Sequence, residues 1–270
     1  MEGTPTNNPR DLIKKEDIAI VVKADKGSDA VLDSFRVEDF TKKGDNYACV
    51  VTSVVVQYTR LGKPGESSYV VKLNPCHEGS LGSMMHIVFE KETAFYTKIL
   101  PLLNKKLTEV NEHPLRIAKH YHSVEKRNQE AIYLEDLRQS GFKMHDRLQC
   151  MTKQHVELII KELARLHASS VLLFHKENSL GNILKKYPDF DSRDDEIQKK
   201  MKDSGLDLLT ETLTRRIELI DRIPGYEFVS RFISEMLPTI NEDFNALKTA
   251  DPPFITISHG DCWNNNLLFR

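Results

Sequence analysis

The chain has few cysteines, and they are not spaced like metal ligands or disulfide partners. The four of them, Cys49, Cys76, Cys150 and Cys262, lie far apart, with no CxxC pair and no His/Cys grouping of zinc-ligand spacing. This pattern argues against a disulfide framework and against a structural zinc site. Reduced thiols in the cytoplasm fit the pattern better.

Long apolar runs and an excess of one charge are also absent. The first 20 residues contain proline, asparagine and mixed charges where a secretory signal would have an apolar segment, and no later stretch approaches the roughly 18 apolar residues of a membrane helix. Thirty-eight basic and forty acidic residues leave a formal charge of -2, so no overall field would attract nucleic acid or an anionic membrane. We expect neither as a partner, and the composition does not specify an oligomeric state.

The length and the hydrophobic content are those of a folded protein with a substantial core. At 270 residues and 40% hydrophobic content, the chain suits one large domain or two lobes that share a cleft. Residues 1–10 are rich in Thr, Pro, Asn and Gly without periodicity, which predicts a disordered tail. No internal repeat is visible, so a solenoid is not expected.

Residues that favour β-strands predominate in the first half of the chain. The extended runs are residues 47–58, 68–73, 116–123 and 131–137. The turn-rich stretch 61–66 between the first two indicates a hairpin. A helix is predicted from about Met85 to Leu103, with Glu92 on its apolar stripe, where an unpaired carboxylate would be costly. We predict a five-stranded antiparallel sheet, to which these four runs contribute, with one inserted helix.

The second half of the chain is mostly helical by its periodicity. The predicted helices are residues 152–174, 206–223 and 226–247. Residues 191–204 are densely charged and are interpreted as a solvated connection or an exposed helix. A short apolar strand is predicted at residues 254–257, directly before a polar loop. The chain is therefore predicted to be α/β, of the α+β type.

That polar loop carries the main chemical signal. His259, Asp261 and Asn266 have the spacing H-x-D-x₄-N, by which kinase catalytic loops present a base and a metal ligand. An aspartate that leaves a strand can also close an Asx-turn. Asn264 and Asn265 are alternatives to Asn266, and only the spacing favours the last.

Two residues earlier in the chain supply what phosphoryl transfer requires besides this loop. The reaction needs a lysine on the nucleotide phosphates and a carboxylate that orients the lysine. Lys72 ends an extended run, and Glu92 lies on the helix that follows. The alternatives are that Lys72 is a solvated strand-edge residue and that Glu92 pairs locally with Lys91 or Lys98.

The chain resembles the insect ecdysteroid kinase-like family, a relative of the choline and aminoglycoside kinases. The matching motifs are KGDNYA at 43–48, VVK at 70–72, FxxExxFY at 89–96, LEDL at 134–137 with GF at 141–142, LAxLHAxS at 163–170 and HGDxWxNN at 259–266. They span almost the whole chain from about residue 37. The combination of GDNYA, LEDLxxxGF and HGDxWxNN is specific to this family among kinase-like folds.

The resemblance implies a bilobal, protein-kinase-like fold. Its N-lobe, with the sheet and the hinge, would be residues 11–137, and residues 138–270 would form a mostly helical, partial C-lobe. The cofactors would be ATP and Mg²⁺. By position, Asp261 would be the base, Asn266 would bind Mg²⁺, and the nucleotide-binding residues would be Lys72, Glu92, Gly44, Asp45, Asn46, Glu135, Asp136 and Leu137.

Two parts of this pattern depart from a complete kinase site. Gly44, Asp45 and Asn46 provide a single glycine where protein kinases have a glycine-rich loop, and without the resemblance an ordinary hairpin turn explains them equally well. In the family, a further aspartate follows the catalytic loop and holds Mg²⁺, whereas this chain ends at Arg270. The expectation is therefore a kinase truncated at its C-terminal end, with an incomplete metal site.

Three functions compete at this point. The first is cytoplasmic, ATP- and Mg²⁺-dependent phosphorylation of a hydroxyl on a small molecule, which the resemblance suggests is an ecdysteroid or a xenobiotic alcohol. The second is a catalytically inactive nucleotide-binding or interaction protein, or a partial gene product. The third is a protein kinase, against which His-Gly-Asp counts, because the arginine of His-Arg-Asp pairs with an activation-loop phosphate in regulated protein kinases.

Overall fold

Five antiparallel strands form one sheet in the computed structural model, in the order β1-β2-β3-β5-β4. They are β1 (Val31–Asp39), β2 (Val50–Arg60), β3 (Lys63–Leu73), β4 (His120–Val124) and β5 (Ala131–Glu135). The structure describes residues 8–40, 49–75, 79–146, 148–175, 177, 179–188, 208–240, 242–243, 246 and 255–270. The predicted five-stranded antiparallel sheet and the α+β class are confirmed.

The β2–β3 hairpin turns more tightly than the sequence suggests. The strands pair as far as Arg60 with Lys63, so only Leu61 and Gly62 form the turn, and both have positive φ angles of 49° and 73°. Pro64, which we placed in the turn, lies in β3 opposite Thr59. A proline is tolerated near the start of a strand, where a lost ladder hydrogen bond matters least.

The two faces of the sheet bury different clusters. On one face, helix α1 (Lys15–Lys26) contributes Ile18, Val21 and Val22 to a core with Val56 and Val71. The opposite face buries Val70, Phe89, Ile132 and Leu134, with Phe40, Cys49, Val51 and Tyr96 packed against them. Because side chains alternate along a strand, Lys72 shares this second face with Val70.

The predicted helix is longer than expected and changes its geometry part-way. It consists of α2 (Gly79–Ala94), a π-helical turn (Phe95–Ile99) and α3 (Leu100–Glu109). Pro101 lies at the start of α3. A proline inside a helix clashes with the carbonyl four residues earlier, here that of Thr97, and a widened turn at that point accommodates it.

After the sheet, short strands and helices lead to the loop at residues 259–266. A 3₁₀ turn (Leu137–Ser140) leads to β6 (Lys143–Met144), which pairs with β7 (Leu268–Phe269). Between them lie α4 (Lys153–Phe174), which Thr152 caps, and α5 (Leu180–Lys186). The strand that we predicted at residues 254–257 is not confirmed, because residues 255–257 are irregular. The Ile257 N–H donates to Ser170 Oγ at 3.1 Å, so a side chain of α4 replaces a neighbouring strand as the partner of this backbone.

The chain divides into two units, residues 1–189 with 255–270, and residues 190–254. The described helices of the second unit are α6 (Leu208–Ile220) and α7 (Glu227–Met236), which pack against each other. α7 ends earlier than predicted, and the charged segment 191–204 lies outside the described residues. Within the described part of the chain, no helix has the length and apolar character needed to cross a membrane.

Elements at the start of the chain were not predicted. The tail that we predicted for residues 1–10 lies mostly outside the described residues, and a 3₁₀ turn begins at Pro9 and ends at Leu12. Helix α1 and strand β1 follow. Together they complete one face and one edge of the sheet.

Candidate active site

Lys72 and Glu92 form an ion pair on the second face of the sheet. Lys72 Nζ lies 2.6 Å from Glu92 Oε1 and 2.7 Å from Oε2, and the two side chains are 24% and 25% exposed. Burial lowers the pKa of Lys72, but the charge and hydrogen bond of Glu92, together with the charges of Cys49 and Asp261, outweigh burial, so that the pKa is raised overall. Lys72 is therefore a fixed cation, and Glu92 directs both oxygens to it rather than to a neighbour on its own helix.

Two aromatic side chains, those of Tyr96 and His120, lie near Glu92. The Tyr96 ring stacks on the His120 ring at a centroid distance of 5.5 Å. Burial, with a contribution from Glu92, raises the pKa of Tyr96, and burial lowers the pKa of His120. Both side chains are therefore neutral near pH 7, and both lie close enough to Glu92 to interact with its charge.

Asp261 lies close enough to Lys72 to influence it. Besides burial and Glu92, the charge of Asp261 contributes to the raised pKa of Lys72. Cys49, at the start of β2, is near the same three groups: burial raises the pKa of its thiol, and Glu92 and Asp261 add to that shift while Lys72 opposes it. The fold thus brings the predicted lysine, its carboxylate and the predicted base into one site.

The catalytic loop holds Asp261 and Asn266 together. Asn266 Nδ2 donates to Asp261 Oδ2 and to the Asp261 carbonyl oxygen, both at 2.8 Å. Asn264 instead donates to the His145 carbonyl oxygen at 2.7 Å. Of these two asparagines, Asn266 is therefore the one placed beside the predicted base, as its spacing indicated.

The start of the loop explains its His-Gly sequence. The Asp261 N–H donates to His259 Nδ1 at 3.2 Å, which agrees with a role for His259 in shaping the loop. Gly260 has a φ of 75°, a conformation that side chains with a Cβ rarely adopt. An arginine at this position would be strained.

The predicted hinge has a buried carboxylate that is already hydrogen-bonded. Asp136, 3% exposed, accepts from Ser68 Oγ at 2.6 Å and from Arg138 Nε and Nη2 at 2.8 and 2.6 Å. Burial raises the pKa of Asp136, but Arg138 and Ser68 outweigh it and hold the pKa below its usual value. Arg138 also donates to Ser53 Oγ and lies 4.3 Å from the Phe40 ring centre.

The rest of the predicted hinge is also hydrogen-bonded within the protein. Glu135 Oε2 accepts from the Lys119 N–H at 3.1 Å, and Leu137 begins the 3₁₀ turn. The main chain has protein partners here as well, since the Glu135 N–H donates to the Lys119 carbonyl oxygen at 2.8 Å and the Leu137 carbonyl oxygen accepts from the Phe142 N–H at 3.2 Å. Gly44, Asp45 and Asn46 lie outside the described residues.

A comparison with protein families identifies the family to which this chain belongs. A sequence model of the ecdysteroid kinase-like family matches residues 43–270. The chain belongs to the ecdysteroid kinase-like family. Searches of curated proteins and of solved structures gave no match. Membership of this kinase-like family implies a small-molecule phosphotransferase in general terms.

A nucleotide and its metal fit the residues of this ecdysteroid kinase-like site. Cys49, Val51, Val70 and Leu134 belong to the apolar cluster on the face of the sheet that carries Lys72, so that apolar groups and a cation share one face, as a base and a phosphate group require. Among the described residues, no group of three or more His, Cys, Asp or Glu side chains could hold a metal. Mg²⁺ in phosphoryl-transfer sites needs only one or two protein oxygens, because phosphates and water complete its shell, and Asn266 offers one.

The sequence analysis missed several residues of this site. Cys49 directly follows the GDNYA motif, and Tyr96 lies inside the FxxExxFY motif, but neither was assigned a role. His120, Arg138 and Phe40 had no signal in the sequence. Their positions depend on strand register and on the 3₁₀ turn after β5.

Proposed function

We propose that this protein transfers the γ-phosphoryl group of ATP, with Mg²⁺, to a hydroxyl of a small lipophilic molecule in the cytoplasm. The family name and the sequence resemblance suggest an ecdysteroid or a xenobiotic alcohol as the acceptor. The observation that carries the proposal is the Lys72–Glu92 ion pair with Asp261 within electrostatic reach. In this scheme residues 11–137 are the nucleotide-binding lobe, and residues 138–270 contribute the catalytic loop.

Lys72 neutralises charge on the nucleotide phosphates. Its raised pKa keeps it protonated, and the two contacts with Glu92 fix the position of Nζ. A cation held in place before the reaction stabilises charge without reorganising, which is how electrostatic catalysis acts.

Asp261 accepts the proton of the acceptor hydroxyl. The acceptor oxygen forms a bond to the γ-phosphorus while the bond to the bridging oxygen breaks, and ADP leaves with that electron pair. The hydroxyl proton passes to Asp261. Since Asn266 occupies Oδ2, Oδ1 is the oxygen that faces the hydroxyl.

Asn266 would hold the metal through its amide oxygen, because its amide nitrogen faces Asp261. Bound Mg²⁺ supplies charge neutralisation and orientation of the phosphate oxygens. The hinge backbone at residues 135–137 and the apolar surface around Val70 would hold the base.

The test is a transfer assay on the purified chain. It is incubated with Mg-ATP and a panel of ecdysteroids, plant alcohols and cholesterol, and phosphorylated products are measured by mass spectrometry. We expect a product with at least one alcohol, and a loss of at least about a hundredfold in Lys72→Met. Binding of a fluorescent ATP analogue without transfer to any alcohol would contradict the transfer and would leave a nucleotide-binding protein.

A further inference from the structure

A buried carboxylate outside the catalytic groups connects the strand of Lys72 to the helix of Glu92. Glu130, directly before β5, is 2% exposed. Its Oε2 accepts from Asn74 Nδ2 at 2.8 Å, and its Oε1 lies 2.5 Å from His86 Nδ1. The Asn74 N–H also donates to the Glu130 carbonyl oxygen at 3.0 Å. Asn74 directly follows β3, and His86 belongs to α2.

These contacts span the same two elements as the Lys72–Glu92 pair, at a different height along the helix. Asn74 is two residues beyond Lys72, and His86 is six residues before Glu92, which corresponds to about 9 Å along a helix. A helix attached at one point can rotate about that point. Two attachments to neighbouring segments remove that freedom.

Because Glu130 is buried, the loss of its hydrogen bonds would cost free energy. A buried carboxylate without hydrogen-bond donors is strongly unfavourable, so any displacement of α2 that removes His86 leaves Oε1 without that donor. The other ring nitrogen of His86, Nε2, lies 3.5 Å from Glu90 Oε1, on an exposed side chain. The His86 nitrogen that donates to Glu130 is therefore Nδ1, and Nδ1 is on the side of the ring that is held in the interior.

We propose that Glu130, Asn74 and His86 are positioning residues that set α2 so that Glu92 meets Lys72. They do not touch the nucleotide, and they act on its affinity through the ion pair. The inference rests on the proposed function, because it concerns the nucleotide site.

A double-mutant cycle on nucleotide affinity tests the proposal. The dissociation constant of a fluorescent ATP analogue with Mg²⁺ is measured for the full chain, for His86→Ala, for Glu92→Gln and for the double variant. We expect His86→Ala to weaken binding between about threefold and thirtyfold. In the Glu92→Gln background, His86→Ala should change the dissociation constant by less than about twofold, because the Lys72–Glu92 pair that His86 positions is already lost.

The chain offers a matched control in His122. This side chain is also 21% exposed and lies 3.3 Å from a carboxylate, Asp17 of α1, but it connects β4 to α1 and not to α2. His122→Ala should change nucleotide affinity by less than about twofold, whatever its effect on unfolding by urea. If His122→Ala weakens binding as much as His86→Ala does, or if the His86 effect is equal in both Glu92 backgrounds, the proposal is wrong.

Two conservative variants keep the test decisive should His86→Ala fail to fold. Asparagine places an amide nitrogen near the position of Nδ1, whereas glutamine places it near that of Nε2, away from Glu130. We expect His86→Asn to keep the affinity of the native chain within about twofold and His86→Gln to lose it. Equal behaviour of the two would contradict the proposal. A native chain that binds no nucleotide would instead contradict the proposed function itself.

Discussion

At the scale of single residues, the site depends on carboxylates whose charge is matched by a specific partner. Glu92 was singled out because a carboxylate on an apolar helix face is costly without a partner, and the order of the elements together with the family resemblance assigned Lys72 as that partner. Asp136 was assigned to the hinge, but its side-chain partners could not be predicted. Ser68 and Arg138 reach it through strand pairing and a 3₁₀ turn, neither of which leaves a pattern in the sequence.

Asp136 should contribute to stability in a pH-dependent way. Its pKa is lowered in the folded chain, since the hydrogen bonds from Arg138 and Ser68 outweigh its burial. Its contribution is therefore present above the pKa of the unfolded chain, about 3.9, and is lost as the pH falls through the lower folded value. Replacing it with asparagine removes this dependence.

The measurement is urea unfolding between about pH 3 and pH 7. We expect Asp136→Asn to be less stable than the native chain at neutral pH, by about 1–3 kcal/mol, with a smaller loss of stability on acidification. Asp29→Asn is the control, because Asp29 pairs with an exposed Arg60 and such pairs contribute little. An unchanged acid slope in Asp136→Asn would contradict this account of Asp136.

At the scale of secondary structure, segments with a strong sequence pattern were predicted correctly, and segments whose pattern fits both a helix and a strand were not. The valine-rich β2 had a clear strand composition, and the long apolar stripe of α4 had a clear helical period. In α1 the apolar residues are bunched at Ile18, Ile20, Val21 and Val22, a run that fits a short strand as well as a helix. β1 alternates weakly, because it is an edge strand with most of its side chains exposed.

The β2–β3 turn allows a prediction about stability. Leu61 is 79% exposed and has a φ of 49°, a conformation that asparagine tolerates and leucine does not. Asn-Gly is the preferred pair for a two-residue hairpin turn with positive φ at both positions. Leu61→Asn should raise the free energy of unfolding by about 0.5–1 kcal/mol.

The check is the urea midpoint of Leu61→Asn against the native chain, with Leu148→Asn as the comparison. Leu148 is 88% exposed and tests whether removing an exposed leucine is enough. A gain in both variants would show that replacing an exposed leucine with a polar residue is enough to raise stability. A loss in Leu61→Asn would contradict the strain at this turn.

At the scale of the whole molecule, folding and nucleotide binding should be linked. The residues of the site come from β2, β3, α2 and the loop at 259–266, far apart in the sequence. A ligand that binds this arrangement and not the unfolded chain stabilises the fold by mass action, by about 2.7 kcal/mol at a hundred times its dissociation constant. Mg-ATP should therefore raise the midpoint of thermal unfolding in a concentration-dependent way.

Differential scanning fluorimetry with increasing Mg-ATP measures this linkage. The shift should disappear in Lys72→Met and persist in Lys23→Met, whose lysine lies on α1. If both variants respond equally, nucleotide binds elsewhere on the chain.

The central claim is that Asp261 is the base of a phosphoryl transfer, and one comparison tests it most directly. Asp261→Asn keeps the size of the side chain and removes its ability to accept a proton. We predict a fluorescent-ATP dissociation constant within about twofold of the native value, and transfer to the best alcohol of the panel lowered by about a hundredfold to ten-thousandfold. Asp221→Asn, directly after α6 in the other unit, should retain both properties. Undiminished transfer by Asp261→Asn would contradict the account.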